Sequence, residues 1–424
     1  MNGHLKTHNR QGSVLPLVAV TMSVLLLILA SVVDMGWIYL AKNQLQNAAD
    51  SIALASAAQL IDEDLLYGSP NQDDDIVQSR DTAEEYAAYN EVVHRSLQVD
   101  RNDPNAVDGG VVLGYIDNPN DPGSPFLTDS VPYCNTAQVT TRLDQTINGP
   151  LGLFLGAVTG MNQVELAARS MASIEDRIIG FRAPGSEELD RPPGSTFQDR
   201  CTHLDVLPFS VYYDAWKVQT DGDHYDASLQ CPPTCDHDDY SYDEATGEVH
   251  TCGGGDGIPE VKMYPYSDDV CGVPGVPGNF GTVDIGPPNN PTPDLIRQIL
   301  DGVSADDLAA INGLVLTDED DDGVYSKWLN GDTGVSSAIS SALEDIIGES
   351  RLLPLHRDVM NPGNNAMFEE VGFVGVRIMD VHMTGSLSGR YVVVQPCLVH
   401  TPCAVFSPNA PHSGMIFVQT ITRH

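Results

Sequence analysis

The stretch VLPLVAVTMSVLLLILASVV, residues 14–33, decides how the rest of the chain is arranged. It carries no charge, and a helix of about 20 apolar residues is long enough to cross the hydrocarbon core of a bilayer. Lys6 and Arg10 precede the stretch, whereas Asp34 follows it directly. Because positive charges favour the cytoplasmic side, we predict one membrane-spanning helix with a cytoplasmic N-terminus and nearly all remaining residues on the other side.

A cleaved signal peptide is the alternative interpretation of the same stretch. The apolar core of a signal peptide spans about 7–15 residues and ends at a site of small residues. The stretch at residues 14–33 is longer, and sequence typical of a helix continues past Asp34 without a turn signal. We therefore favour an uncleaved anchor, although Ala30, Ser31 and Gly36 keep a cleavage site open.

The composition is strongly acidic. The 424 residues include 59 acidic and 21 basic ones, which give a formal net charge of −38. Such a charge disfavours phosphate-rich partners, so we expect no nucleic-acid partner and no attraction to anionic lipid surfaces beyond the anchor. Hydrophobic residues make up 42% of the sequence, which is enough for at least one substantial core.

Eight cysteines all follow the apolar stretch, as expected in an oxidising compartment where disulfides persist. We predict a local pair between Cys397 and Cys403, because they lie close together near the C-terminus. Four others cluster in the middle of the chain: Cys231, Cys235, Cys252 and Cys271. The first three of these and His250 have spacings that a structural zinc site tolerates, but disulfides within the cluster are the favoured interpretation.

Helical periodicity continues beyond the anchor. Leu45, Ala49 and Ile52 form an apolar stripe with helical spacing, so we predict one helix over residues 13–60. Glycine and proline soon after residue 60 favour a stop. A second, half-buried helix is predicted over residues 76–97.

After the second predicted helix, the periodicity of the apolar residues changes to that of strands. The runs VVLGYI from Val111, AQVTTRL from Ala137 and VELAARSMASIED from Val164 are rich in residues that favour strands. Between the last two, LGLFLGAVTG at residues 151–160 is apolar but too short to span a membrane. We predict a core helix there.

The second half of the chain has a mixed pattern. YSYDEATGEVHTC predicts a hairpin that turns at Thr246 and Gly247, and helices are predicted over residues 294–311 and 335–347. Three strands are predicted from the runs FVGVRIMDVHMTG, RYVVVQPCLV and MIFVQTI. The fold class is therefore α+β, with an N-terminal transmembrane helix followed by a region of mixed helices and antiparallel strands.

Composition shifts predict five segments along the chain. A cytoplasmic N-terminus at residues 1–12 precedes the helix at 13–60, and a first extracytoplasmic α+β region follows at 61–183. Residues 184–200 are rich in Pro, Gly, Ser and acidic residues, which is typical of a linker. A second, β-rich extracytoplasmic region then covers residues 201–424 and contains the acidic, cysteine-containing insert.

One acidic run resembles the first half of a calcium loop. In TDEDDDG, Asp318, Asp320 and Asp322 occupy the first, third and fifth positions and Gly323 the sixth. The twelfth position is Leu329 instead of a bidentate acid, so the ligand set is deficient. We therefore favour a solvated acidic turn and keep calcium as the alternative.

Common catalytic motifs are absent from the sequence. It contains no GxSxG elbow, no GxxxxGK[ST] phosphate loop and no HExxH pair. We therefore expect a protein that is not an enzyme and that needs no cofactor, with calcium as the one alternative.

The N-terminal pattern RQGSVLPLVAVTMSVLLLILASVVDMGWIYLAKNQLQNAADSIALASA resembles TadG-like proteins of the Flp, or tight-adherence, pilus system. The elements that carry the resemblance are Gly12 before the span, Asp34 with Gly36 at its outer end, and the run QLQNAAD at residues 44–50. The runs GNFGTVDIG and VGVRIMDVHMTG in the distal part also resemble this family.

The resemblance implies a membrane-anchored, non-enzymatic component of pilus assembly or surface adhesion with a long pilin-like helix. Its implied partners are pilus assembly proteins or pilins, and its implied location is the bacterial inner membrane. Processed pilins carry Glu where this chain has Leu17, so cleavage after Gly12 is not expected, and no DxSxS metal motif occurs. An anchored metal-binding adhesin or envelope hydrolase that shares only the anchor is the alternative.

Overall fold

The predicted α+β class is confirmed: a long N-terminal apolar helix is followed by shorter helices and antiparallel sheets. The structure is a computed structural model. It describes residues 14–61, 66, 72–119, 121, 123–129, 131, 133–156, 160–185, 201–220, 238–251, 256–265, 278–287, 291–318, 323–333, 335–363 and 365–422.

The helix predicted over residues 13–60 is confirmed as α1, Val14–Ala58. Uninterrupted apolar and alanine-rich sequence favours this single helix of 45 residues. The other described helices are α2 (Asp73–Tyr89), α3 (Tyr213–Thr220), α4 (Thr292–Asp301), α5 (Ala305–Ala310) and α6 (Ser340–Glu344). Short 3-10 turns lie at Ser337–Ile339 and Leu387–Gly389.

The described strands are short in the first half of the chain and long near the C-terminus. They are β1 (Glu91–Val92), β2 (Arg95–Ser96), β3 (Val111–Gly114), β4 (Thr136–Leu143), β5 (Leu151–Gly152), β6 (Gln163–Val164), β7 (Leu166–Glu175), β8 (Ile178–Phe181), β9 (Phe209–Tyr212), β10 (Tyr240–Asp243), β11 (Glu248–Thr251), β12 (Val261–Met263), β13 (Phe280–Val283), β14 (Leu314–Val315), β15 (Lys327–Asp332), β16 (Ser350–Met360), β17 (Ala366–His382), β18 (Tyr391–Pro396), β19 (Val399–His400), β20 (Ala404–Phe406) and β21 (Ile416–Thr422).

The predicted helix over residues 76–97 is wrong at its C-terminal end. Helix α2 ends at Tyr89, and β1 and β2 then form a hairpin in which Val92 pairs with Arg95. The two loop residues, Val93 and His94, have φ of 48° and 64°. A two-residue turn with both φ values positive matches the twist of a hairpin, although valine is an unusual residue there.

The predicted core helix over residues 151–160 is also wrong. Leu151 pairs with Val164 and Gly152 with Gln163, so this part forms the β5–β6 hairpin. The run contains glycines at 152, 156 and 160, and Gly160 has φ +82°, which disfavours a helix. Residues 157–159 lie outside the described part of the chain.

Two further helix predictions need correction in detail. Residues 294–311 form two helices, because Gly302 has φ +76° and Ser304 caps α5 in a reciprocal capping box with Asp307. Residues 335–347 form a 3-10 turn followed by α6. The hairpin predicted at Thr246 and Gly247 is confirmed as β10–β11, and the three C-terminal strand runs fall on β17, β18 and β21.

The contacts divide the chain into two compact units. The first consists of Met1–Ala53, Arg80–Val112 and Gln138–Ser170. The predicted stripe of α1 contributes to its core, since Leu45, Ala49 and Ile52 are fully buried. The Thr141 hydroxyl donates to the carbonyl of Leu45 at 3.2 Å and so ties β4 to this helix.

The second unit consists of Leu54–Ser79, Leu113–Ala137 and Met171–His424. Its main sheet has the order β12-β18-β17-β15-β13-β9-β16 and closes into a ring of five strands, because β16 also pairs with β17. Gly281 is required inside this ring, since a Cβ there would lie 2.6 Å from Phe368. A further sheet of this unit has the order β14-β8-β20.

The predicted Cys397–Cys403 pair is wrong. Cys403 forms a disulfide with Cys201, 202 positions earlier in the sequence, and Cys397 lies buried elsewhere. Cys403 directly precedes β20, and β20 pairs with β8, which ends 20 residues before Cys201. The strand pairing, and not proximity along the chain, therefore decides the partner of Cys403. The four clustered cysteines lie outside the described residues, as do residues 1–12 and most of the predicted linker. The predicted segment boundaries stay predictions.

Candidate functional site on the N-terminal helix

The first part of α1 is exposed on all sides. Every residue at positions 14–29 is exposed, and the most apolar 18-residue window has a mean hydropathy of 2.6. A continuous apolar surface of this length suits hydrocarbon and not water. Among the described helices, α1 is the one that is long and apolar enough to cross a membrane.

One face of α1 becomes buried near the outer end of the span. Ala30 is 3% exposed, Asp34 is 4% exposed, and Ala41 and Leu45 are fully buried. Spacings of 4, 7 and 4 place these residues on one face of the helix. Other positions stay exposed and form what we term the exposed stripe: Val32, Met35, Gly36, Tyr39, Leu40, Asn43 and Asn47.

Asp34 fixes the β5–β6 hairpin to α1. Its Oδ1 accepts the backbone N–H of Phe154 at 2.9 Å and that of Leu155 at 3.2 Å. One helical turn further on, the Trp37 ring packs on the Phe154 ring with centroids 4.9 Å apart. A buried carboxylate needs such donors, and the two N–H groups need an acceptor, so each side satisfies the other.

The run QLQNAAD supplies two more polar ties within the same unit. Gln44 Oε1 accepts the N–H of Val93 at 2.9 Å, which holds the β1–β2 turn against α1. The Gln46 amide donates to Asp50 Oδ1 at 2.8 Å and to the carbonyl of Arg169 at 3.0 Å. Residues that are polar in a largely buried stretch of α1 therefore have structural partners.

The comparison with known families decides what this helix is. Residues 12–59 match the family described as putative Flp pilus-assembly TadE/G-like. The N-terminal segment of this chain is TadE/G-like. The resemblance predicted from the sequence is thus confirmed, and the TadE/G-like segment coincides with α1, Val14–Ala58.

The family match ends at residue 59, so the distal resemblance through GNFGTVDIG and VGVRIMDVHMTG stays a prediction. No curated protein and no solved structure matches the chain. The family match is confined to the N-terminal segment, so the geometry of the second unit has to be judged by its own chemistry.

A buried trio in the second unit has the residue types of a hydrolytic triad. The Ser210 hydroxyl on β9 donates to Glu370 Oε2 on β17 at 2.7 Å and lies 2.9 Å from His356 Nδ1 on β16. All three residues are at most 1% exposed. Burial lowers the pKa of His356 to about 3 and raises the pKa of Glu370 to about 8.

The order of these contacts does not suit nucleophilic catalysis. The acid contacts the serine hydroxyl, and the same hydroxyl contacts the histidine. In a hydrolytic triad the histidine accepts the serine proton and the acid orients the histidine. Here serine bridges the other two inside a closed ring of strands, which favours a structural network over a hydrolase site.

The predicted calcium ligands are described only in part. Asp318 Oδ2 accepts the N–H of Gly323 at 3.0 Å, and Gly323 has φ +82°, as in a tight turn. Asp320 and Asp322 lie outside the described residues, so the calcium alternative stays a prediction. Among the described residues, no group of three His, Cys, Asp or Glu side chains is placed to hold a metal ion.

Sequence reasoning missed the residues that dock on the helix. Asp34 marked the outer end of the span, but its partners Phe154 and Leu155 lie 120 and 121 positions later. The one available signal was the uncharged run at residues 151–164, which is unusual in so acidic a chain. This run indicated an apolar environment but did not show that the environment is the outer end of α1.

Proposed function

We propose that this protein is a membrane-anchored, non-enzymatic component of Flp, or tight-adherence, pilus assembly. The observation that carries the proposal is the family match at residues 12–59, which coincides with an exposed apolar helix. That match supports involvement in Tad pilus assembly. A related role in surface adhesion would use the same anchored arrangement.

The proposed location is the bacterial inner membrane, with a single span, a cytoplasmic N-terminus and a periplasmic or extracellular bulk. Lys6 and Arg10 before the span and Asp34 after it support this orientation. The Cys201–Cys403 disulfide supports an oxidising compartment for the second unit.

The proposed contacts with assembly proteins or pilins involve the exposed stripe of α1. Small residues let helix backbones approach closely in a bilayer, where apolar side chains alone give little association. Gly36 lies on the exposed stripe just beyond the span, and a Cβ there would meet nothing within 4 Å. The described residues therefore leave the backbone of α1 open at this position, where a partner helix could approach.

Affinity purification of the tagged full-length chain from detergent-solubilised membranes tests this proposal. Gly36→Leu adds bulk to the exposed stripe, and leucine favours a helix more than glycine does, so the fold should persist. Ala88→Leu on the exposed side of α2 is the matched control, since it adds similar bulk elsewhere in the first unit.

We expect mass spectrometry to find pilus ATPase, platform or pilin proteins with the wild type and with Ala88→Leu, and far less of them with Gly36→Leu. Equal recovery from all three chains would contradict contacts at the exposed stripe. Recovery of no pilus protein with the wild type would contradict the assembly role itself.

A further inference from the structure

The tip of the β5–β6 hairpin, by which we mean its described residues 153–156 and 160–161, lies beside the outer end of the apolar span. Next to the paired residues of β5 and β6, the Leu153 N–H donates to the carbonyl of Asn162 at 3.0 Å and extends the hairpin. The next two residues, Phe154 and Leu155, donate their N–H groups to Asp34. Asp34 is the first charged residue after the span, so the tip is held at the level where the helix leaves the hydrocarbon.

The burial of Ala30 shows how far the cover on this face extends. Ala30 precedes Asp34 by four residues, so it lies on the same face and about 6 Å nearer the membrane centre. It is 3% exposed, although all residues at positions 14–29 are exposed. The face of α1 that binds the hairpin at Asp34 is therefore buried to one helical turn inside the apolar stretch.

The composition of the hairpin suits a place beside the apolar stretch. Residues 151–164, LGLFLGAVTGMNQV, contain no charge in a chain whose net charge is −38. Phe154 is 65% exposed and Met161 is 56% exposed, on either strand side of the tip. Trp37 and Tyr39 lie on α1 at the same level, and such aromatic residues are enriched where a helix crosses the membrane–water interface.

We propose that Phe154 and Met161, on the two sides of the β5–β6 hairpin, insert into the outer headgroup–acyl boundary of the same bilayer that α1 crosses. Phe154 packs on Trp37 one turn past Asp34, so its exposed ring lies beside the aromatic residues at the outer end of the span. This inference rests on the anchoring of α1 proposed above. A second lipid contact fixes the rotation of α1 about its axis and so keeps the exposed stripe directed at partners.

Photo-crosslinking in the full-length chain tests this contact. The photoreactive residue p-benzoylphenylalanine replaces Phe154 in one variant and Met161 in another, and lipid adducts are measured by mass spectrometry after illumination of native membranes. Both side chains are largely exposed, so the replacements should leave the hairpin folded. The same residue at Leu25, within the span, reports on the anchor.

Tyr89 provides a matched control in the same unit. It is an exposed aromatic residue at the end of α2, and the hairpin that follows it docks through Val93 on Gln44. Gln44 lies ten residues beyond Asp34, or about 15 Å further from the membrane along the helix. The photoreactive residue at position 89 should therefore meet water.

We expect lipid adducts from positions 154 and 161 to exceed those from position 89 several-fold and to approach those from position 25. If position 25 gives lipid adducts but positions 154 and 161 give no more than position 89, the lipid contact of the tip is overturned and the anchor is not. Crosslinks from 154 and 161 to protein instead of lipid would also overturn it. An absence of adducts at 25 would overturn the anchoring on which the inference rests.

Discussion

Asp34→Ala should release the β5–β6 hairpin from α1 without unfolding the helix. The substitution removes the oxygen that accepts the N–H groups of Phe154 and Leu155. Alanine favours helices at least as well as aspartate, so α1 itself should be unaffected. The ring contact between Trp37 and Phe154 remains as the weaker tie.

The expected magnitude follows from the two lost hydrogen bonds. Each backbone N–H left without its acceptor costs about 1 kcal/mol where water reaches part of the site, and more where it does not. Two such groups give about 2 kcal/mol, and about 1.4 kcal/mol corresponds to a tenfold change in an equilibrium constant. Opening of the hairpin tip should therefore become roughly 30 times more frequent.

Hydrogen–deuterium exchange of the chain in lipid nanodiscs measures this opening directly. We expect peptides that cover residues 151–156 to exchange at least roughly 30-fold faster in Asp34→Ala, because their protection depends on Asp34. Peptides that cover residues 41–53 serve as the internal reference. Asp34→Asn is the matched control, since its amide oxygen can still accept both N–H groups, and its effect should be much smaller.

Unchanged exchange at residues 151–156 in Asp34→Ala would show that Asp34 does not hold the hairpin. Equal exchange in Asp34→Asn and Asp34→Ala would show that loss of charge, and not loss of the acceptor, is the cause. Faster exchange throughout α1 would show that Asp34 stabilises the helix itself.

Three further predictions concern the second unit, each measured by denaturant unfolding of the detergent-solubilised chain. Replacing Cys201 and Cys403 by serine should lower the free energy of unfolding by about 5 kcal/mol, because the disulfide closes a loop of about 200 residues; equal stability of oxidised wild type and variant would contradict this. Burial raises the pKa of Glu370 to about 8, so Glu370 keeps its proton in the native state at pH values where the unfolded chain has lost it. The contribution of Glu370 to the free energy of unfolding therefore falls as the pH rises from about 4.5 to 8. Glu370→Gln should therefore gain stability relative to wild type as pH rises from 5 to 8, by up to about 4 kcal/mol, and a pH-independent difference would be evidence against a neutral buried acid. The hydrogen bond from His412 Nδ1 to Asp176 at 2.7 Å raises the pKa of His412, so its stabilising effect is complete below about pH 6 and is lost as pH rises through the raised pKa; His412→Asn should remove this small pH dependence, and an unchanged profile would exclude the pair as its source.

The parts of the fold that sequence predicted correctly depend on local pattern. Helix α1 follows from an uninterrupted apolar stretch and a stripe through Leu45, Ala49 and Ile52, which need no knowledge of distant residues. The C-terminal strands follow from β-branched runs, and the β10–β11 hairpin from its turn at Gly247. Each of these signals lies within a few residues of the structure that it specifies.

The wrong predictions occur where distant partners decide the local conformation. The β1–β2 turn places Val93 at positive φ, and its N–H is accepted by Gln44, 49 positions away. The hairpin at residues 151–164 has its tip N–H groups satisfied by Asp34, 120 positions earlier. Neither acceptor is visible in a local window, so apolar periodicity favoured helices at both places.

The same difference between local and distant signals applies to the candidate functional residues. The TadE/G-like segment was recognisable because its features are contiguous in sequence. The trio of Ser210, His356 and Glu370 was not, since its members come from three strands whose adjacency depends on closure of the ring. Their spacing in sequence corresponds to no catalytic motif, and the order of contacts that argues for a structural role is visible only in the structure.

Piliation of a strain that lacks this gene is the most direct test of the proposed role in pilus assembly. Fibres would be counted by electron microscopy in the deletion strain and after complementation with wild type, Gly36→Leu or Ala88→Leu at equal membrane levels. Fibres should disappear on deletion, return with wild type and Ala88→Leu, and fail to return with Gly36→Leu. Normal fibres in the deletion strain would contradict a role in pilus assembly.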